Sequence, residues 1–226
     1  MLRPLLNNAY FHDLHDKAEQ FGIEVEGHHT ETGPGVFEVR RPVFPAALLI
    51  RQTDRETQLQ TALGYTTALR MADNAVLFKL LAKTAGIEHG VMPTFMAKPY
   101  ASLPGCSGHI HVSLQTADGK NAFAYTGSEP EGRPNAAFKD VAFLSELGEQ
   151  FLAGVVRGLP DVMPMLCPNI NSYKRLTGGE AFWAPNLASW GYDSRAASVR
   201  ILGPPGAPSE GTRCTSSPSP LARPGP

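Results

Sequence analysis

Ser107-Gly108-His109-Ile110-His111-Val112-Ser113-Leu114 alternates in side-chain character with a period of two, which predicts a strand over His109 to Leu114. Asp118-Gly119 closes it with a tight turn, and a loop rich in Pro and Gly, from Pro99 to Gly108, leads into it from an extended piece at Thr94 to Ala97. Further upstream, Leu63, Thr67, Met71, Ala75, Phe78, Leu81 and Ala82 form one stripe, so Ala62 to Ala85 is predicted helical, with Gly86 as its stop. Leu5 to Phe21 repeats the pattern and ends at Gly22. Ile23 to Glu26 alternates as a short strand, and the turn Thr32-Gly33-Pro34-Gly35 separates it from a second extended piece at Val36 to Val39. Downstream, Asp140 to Leu159 carries Phe143, Leu147, Phe151, Leu152 and Val155 on one side and is predicted to be a helix ending near Gly158. Two strand-like pieces follow, at Leu187 to Trp190 and Ala197 to Leu202.

Two stretches break this grammar. Val39 to Gln60 opens with Arg40-Arg41-Pro42 and Phe44-Pro45, turns polar and charged, and shares no pattern with its flanks, so residues 39–60 are expected to be an insert. Residues 204–226 are expected to be a disordered tail, since seven of the 20 prolines fall after Gly203 beside Ser and Gly. The chain has 226 residues, enough for one substantial core. Its 20 Lys and Arg balance 21 Asp and Glu, which gives no basic field for nucleic acid. The longest apolar run, Pro45 to Ile50, is far short of the ~20 residues of a membrane span. Cys106, Cys167 and Cys214 are odd in number and show no C-x-x-C pairing, as expected of reduced thiols in a cytoplasmic setting.

Three sets of residues can carry chemistry. A strand places His109, His111 and Ser113 on one face at steps of ~7 Å, where imidazoles and a hydroxyl suit a metal ion and phosphates. Hydrogen-bonded surface histidines are the plain alternative, and on spacing alone the favoured one. Glu31 and Glu38 flank the turn at 32–35, and a reversal there brings two carboxylates together, an arrangement that suits Mg²⁺ or Mn²⁺. The plain alternative is two solvated glutamates. Arg175, Arg195 and Arg200 are guanidinium groups suited to carboxylate and phosphate, against the ordinary role of surface ion pairing.

Taken in order, five stretches resemble the catalytic domain of glutamine synthetases, in particular fungal and type I-like members. They are Glu24-Val25-Glu26-Gly27-His28-His29-Thr30-Glu31 through Gly35 to Glu38; Thr94-Phe95-Met96-Ala97-Lys98-Pro99; Ser107 to Leu114; Asn171-Ser172-Tyr173-Lys174-Arg175-Leu176; and Trp183-Ala184-Pro185 running to Arg195-Ala196-Ala197-Ser198-Val199-Arg200-Ile201. The resemblance covers residues 1–203 as a partial catalytic domain. It implies an α+β fold with a curved, mainly antiparallel sheet carrying the site and helices packed outside.

The resemblance also implies roles. Glu31 and Glu38 match ligands of one divalent ion and His109 the ligand of a second, Mg²⁺ or Mn²⁺. Glu26, His111, Ser113 and Arg200 match ATP contacts. Arg175 matches the arginine on the α-carboxylate of glutamate, Gly105 a further substrate contact, and Arg195 an arginine beside the transferred phosphoryl group. The implied reaction is that of a carbon-nitrogen ligase in nitrogen metabolism: ATP phosphorylates the γ-carboxylate of glutamate, and ammonia displaces phosphate. Charge on the phosphoryl group dominates such a barrier, which suits metal ions and arginines. The implied partners are these small molecules and further copies of the chain in a ring-shaped homo-oligomer. Departures from the pattern bear on turnover. The family's N-terminal β-domain and an early strand with two more metal-binding glutamates have no counterpart, and Arg213 is followed by Cys214-Thr215-Ser216 where the family carries a metal-binding glutamate and a substrate arginine. Trp183 occupies the place of a flap glutamate, with Glu180 as the substitute catalytic carboxylate. These departures imply little activity for the chain alone, and leave open a non-catalytic chain with the same fold or a γ-glutamyl ligase acting on a larger amine.

Overall fold

The computed structural model describes residues 8–30, 45–52, 55–99, 105–176, 185–192, 194, 196–202 and 213–216, of which residues 29–30, 45–52, 55–60 and 213–216 are described by their backbone alone. The chain divides into two units, Met1–His109 and Ile110–Pro226.

In the first unit, helix α1 (Asn8–Gln20) presents Tyr10, Leu14 and Ala18 on one stripe, all buried. Gly22, with φ 67°, turns the chain after it, a left-handed conformation that favours glycine. Strand β1 (Val25–Thr30) pairs antiparallel with β3 (Arg55–Leu63), which pairs with β2 (Pro45–Gln52), which in turn meets β4 (Met92–Thr94), in the order β1-β3-β2-β4. Helix α2 (Ala68–Glu88) buries Met71, Phe78, Leu81, Ala82 and Ala85 against α1, Ile23, Leu63 and Val91. The Tyr10 hydroxyl donates to the Ala82 carbonyl at 3.2 Å, and burial pushes its pKa well above the usual tyrosine value. At the far end of the same contact Asp13 accepts from Lys17 at 2.5 Å and from His89 at 3.0 Å, while Lys17 also donates to Glu88 at 2.7 Å.

In the second unit, helix α3 (Glu146–Leu166) begins at Ser145, whose Oγ accepts from the Gly148 N–H at 2.9 Å and donates to the Ala122 carbonyl at 2.6 Å. Its Leu152 and Leu159 pack with Val141, Leu144, Val199 and Ile201. Beyond it lie the short helix α4 (Ile170–Tyr173) and a 3₁₀ turn, Lys174–Leu176. The sheet runs β5-β8-β7-β6, from β5 (Ile110–Val112), β6 (Trp190–Tyr192), β7 (Val199–Leu202) and β8 (Arg213–Ser216). The β5–β8 and β7–β8 pairs are antiparallel and the β6–β7 pair is parallel. Arg133 pairs with Glu149 and ties the 115–145 loops to the start of α3.

Several expectations need correction. The strand expected over His109 to Leu114 forms only at 110–112, because β8 offers three partners there and the chain then leaves through a Gln115–Asn121 bridge. The helix expected from Ala62 begins at Ala68, since Thr61 to Leu63 stay in β3 against β1. The helix expected over Asp140 to Leu159 runs instead over 146–166, passing through Pro160 and Pro164 because Leu159 and Met163 continue its buried face. Residues 45–52 do not loop out but pair along their length with β3, and Arg213 to Ser216, inside the stretch expected to be disordered, form the strand between β5 and β7. The described strands form two sheets, one in each unit. The expected extended piece at Val36 to Val39 lies outside the described residues.

Candidate functional site

Register gathers the candidate residues of the second unit. His111 on β5 stands opposite Thr215 on β8, and Thr215 stands opposite Arg200 on β7, so one row of the sheet reads His111, Thr215, Arg200 and then Gly191 on β6. Burial fixes the parity. Val199 and Ile201, at 1% and 0% exposure, face the α3 core, so Arg200 between them belongs to the opposite face. His111 and Arg200 are two strands apart, ~10 Å between their backbones. Ser113 follows β5 on the His111 side of the alternation and is half-buried. At Gly191 an added Cβ would stand 3.2 Å from Ser194 Cβ and 3.7 Å from Ala197 Cβ, so the 194–197 turn closes the β6 end of the row.

Arg175 lies in the 3₁₀ turn after α4, whose N-cap Asn169 accepts from the Ser172 N–H at 3.0 Å and from its hydroxyl at 3.1 Å. Burial pushes the Cys167 thiol pKa up, and the charge of Arg175 pulls it back, which puts that guanidinium within electrostatic reach of Cys167. In the first unit Glu26 sits at a bulge in β1, where the pairing shifts between Val25 and Gly27, and its side chain is exposed. Gly105 precedes Cys106, whose N–H donates to the Ala97 carbonyl at 2.7 Å and pins that loop beside Lys98. His109 is half-buried in the same unit. Glu31, Glu38, Glu180 and Arg195 lie outside the described residues.

Among the described residues, no three His, Cys, Asp or Glu side chains come together as a metal site. The row on the second sheet carries no Asp or Glu at its register positions His111, Thr215, Arg200 and Gly191, whereas Mg²⁺ and Mn²⁺ favour carboxylate oxygens. Two residues of this face went unassigned on sequence. Thr215 and Arg213 become part of it only through pairing with strands about a hundred and about a dozen residues away. Lys98, buried at 7% exposure, was legible only as part of a motif.

The family described as glutamine synthetase, catalytic domain, matches residues 43–217. The chain is 37% identical over 203 residues to type-1 glutamine synthetase 2 of Dictyostelium discoideum, covering 89% of this chain and 32% of that protein. It is 38% identical over 178 residues to the glutamate–isopropylamine ligase of a Pseudomonas species, covering 77% of this chain and 36% of that one. Glutamine synthetase of Mycolicibacterium smegmatis is 34% identical over 211 residues, 88% of this chain and 39% of its own. The chain therefore spans about a third of the length of these relatives. The cryo-EM structure of Plasmodium falciparum glutamine synthetase shares the fold, with a TM-score of 0.68 over 94% of this chain and 34% of that one, at 22% identity. No helix among the described residues is long and apolar enough to cross a membrane. With more than half of its residues matched, and with an α+β architecture that agrees, the chain belongs to the glutamine synthetase catalytic-domain family.

Proposed function

We propose that the chain serves ATP-dependent formation of a γ-glutamyl amide. The observation that carries this reading is the row His111–Thr215–Arg200, which sets a guanidinium-bearing and an imidazole-bearing residue on one sheet face, suited to the phosphates of a nucleotide. In the reaction a γ-carboxylate oxygen of glutamate attacks the terminal phosphorus of ATP and ADP leaves. The amine nitrogen then attacks the acyl phosphate carbonyl carbon, and phosphate departs with the C–O bonding pair. Arg200 and Arg195 hold the phosphoryl charge, His111, Ser113 and Glu26 the nucleotide, and Arg175 and Gly105 the glutamate. Glu180 is the carboxylate assigned to accept the proton of the incoming amine. The divalent ion that the family uses is assigned to Glu31, Glu38 and His109, where it would neutralise phosphate charge. Assembly into a homo-oligomer belongs to the same reading.

The amine is ammonia or a small alkylamine, the latter supported by the likeness to a glutamate–isopropylamine ligase. A second reading, nucleotide binding without turnover, is favoured by Arg213 being followed by Cys214-Thr215-Ser216, where the family resemblance implies a metal-binding glutamate and a substrate arginine.

Calorimetric titration with ATP and Mn²⁺ tests the reading. ATP binding by the wild-type chain, weakened at least tenfold in Arg200→Ala, supports it, while equal binding in the two proteins overturns it. Mass-spectrometric detection of γ-glutamyl amide from glutamate with ammonia or isopropylamine separates the two readings. Product supports the ligase, and ATP binding with no product supports the second.

A further inference from the structure

Helix α2 is apolar on both of its faces. Met71, Phe78, Leu81, Ala82 and Ala85 fill the core on one side. On the other side Leu69, Val76, Leu80 and Ile87 stand between 60% and 82% exposed. Their spacing is that of a heptad seam, and exposed Asp73 and Lys83 occupy its two remaining positions. At the pitch of an α-helix all six fall within an arc of about 80°. Lone apolar residues on a surface are ordinary, but four along one stripe form a strip that a second helix can cover.

The stripe is complementary to itself when reversed. Leu69 and Ile87, Asp73 and Lys83, and Val76 and Leu80 each lie at equal distances in sequence from Phe78. Two copies of α2 laid antiparallel about a two-fold axis at the level of Phe78 therefore set Leu69 against Ile87, Val76 against Leu80 and Asp73 against Lys83, each contact made twice. Other alignments lose this match. Parallel helices put Asp73 beside Asp73 and Lys83 beside Lys83, and an antiparallel shift of one heptad sets Asp73 against Val76 or Lys83 against Leu80.

The charges beside the stripe are engaged on their own chain. Arg70 donates to the Phe21 and Gly22 carbonyls at 3.2 and 3.3 Å, and Lys79 lies over the Phe95 ring, 5.6 Å from its centre. Asp73 and Lys83, in contrast, take part in no ion pair among the described residues. Within one chain they are ~15 Å apart along the helix axis, too far to pair with each other.

We propose that the exposed face of α2 is a two-fold contact with a second copy of this chain, in which the helices pair antiparallel and Asp73 of each copy meets Lys83 of the other. The inference deepens the homo-oligomer of the reading above. It names one surface, and that surface closes at two copies whatever other contacts join it.

Sedimentation velocity of the full chain over a dilution series is the test. The wild type should associate reversibly with concentration. Asp73→Lys and Lys83→Asp should each weaken that association at least about tenfold, because like charges then face each other twice across the axis. Mixed in equal amounts, the two variants should associate as tightly as the wild type, since each then meets the opposite charge, and no repair within a single chain gives that recovery. Wild-type association in both variants alone overturns the inference and leaves a homo-oligomer standing on other surfaces, and a mixture that stays apart overturns it too. A wild-type chain that is monomeric at every concentration overturns the inference and the homo-oligomer together. If far-UV dichroism shows helix lost in either charge variant, Val76→Gln, which keeps both charges, takes its place. It is expected to weaken association as well, and unchanged association in it overturns the inference.

Discussion

Ser145→Ala removes one hydroxyl that does two jobs. The Oγ accepts from the Gly148 N–H at 2.9 Å, capping the first turn of α3, and donates to the Ala122 carbonyl at 2.6 Å, which anchors the preceding loop. Loss of such a cap costs about 1 kcal/mol, and loss of an ordinary net hydrogen bond about 1 kcal/mol more. The neighbourhood cannot easily compensate, since an added Cβ at Gly148 would already stand 2.8 Å from the Phe123 carbonyl oxygen, leaving no slack for the helix to slide. The expected loss is thus about 2 kcal/mol, or roughly 4–8 °C in Tm for a chain of this size. Urea titration followed by tryptophan fluorescence, which reports Trp190 on the supported sheet and Trp183, gives the measurement. Ser145→Asp is the discriminating control. It keeps the acceptor, adds a charge favourable at a helix N-terminus, and loses only the donation to Ala122, so it should recover about half of the loss. A loss in Ser145→Ala below ~0.5 kcal/mol would refute the reasoning, as would an Asp variant no better than Ala.

Gly86→Ala should destabilise the first unit even though alanine favours helix by ~1 kcal/mol, because its Cβ would meet Pro93 Cδ at 2.4 Å and the Val91 carbonyl oxygen at 2.7 Å. Overpacking of that kind costs ~1–3 kcal/mol, so steric conflict wins, and an unchanged urea midpoint would contradict it. Hydrogen bonding from Lys17, and then from His89, holds the Asp13 carboxyl below the usual aspartate range. With the folded value depressed, its contribution is present above the unfolded value of ~3.9 and is lost as pH falls through the lower folded value. Asp13→Asn should therefore flatten the stability profile in acid, and identical profiles from pH 6 to 2 would rule the contribution out. Deleting residues 39–60 should leave the α1–α2 contact intact, because Tyr10, Leu14, Ala18, Phe78 and Ala82, which form its core, all lie outside the deleted segment. Far-UV dichroism showing loss of helix in that deletion would overturn this.

The helices were legible wherever burial repeats with a helical period, and their ends were legible where a side chain acts as a stop. Gly22 ends α1 as read, by its positive φ. The errors have one physical source: a local pattern continues past the point where a distant partner takes over. Ala62 and Leu63 open the expected α2 on paper, yet Leu63 pairs with Val25 and Ala62 with Gly27, and those pairings hold the segment in β3. The end of α3 departs in the opposite sense, since Gly158 reads as a stop while Leu159 and Met163 carry on the buried face. A helix interior tolerates proline only where packing offsets ~3 kcal/mol, and that packing comes from residues far along the chain.

Residue chemistry put His111 and Ser113 in one candidate set and Arg200 in another, and register brings the positions of His111 and Arg200 onto one row of the second sheet. What they stand beside was not legible. The sign of charge between His111 and Arg200 depends on which residue of 213–216 occupies that row, and a slip of one residue in β8 would carry Thr215 to the core face and bring Cys214 or Ser216 out. Parity along β7 settles the matter for Arg200, because Val199 and Ile201 are buried on either side of it. Register then transfers that parity to β8, and it is this transfer that brings Arg213 onto the same face as Arg200. A segment that reads on composition as a featureless tail thereby supplies the strand between β5 and β7. Which residues share a row of that sheet is thus set by the pairing of β7 with β8, at a point where motif spacing alone carries no information.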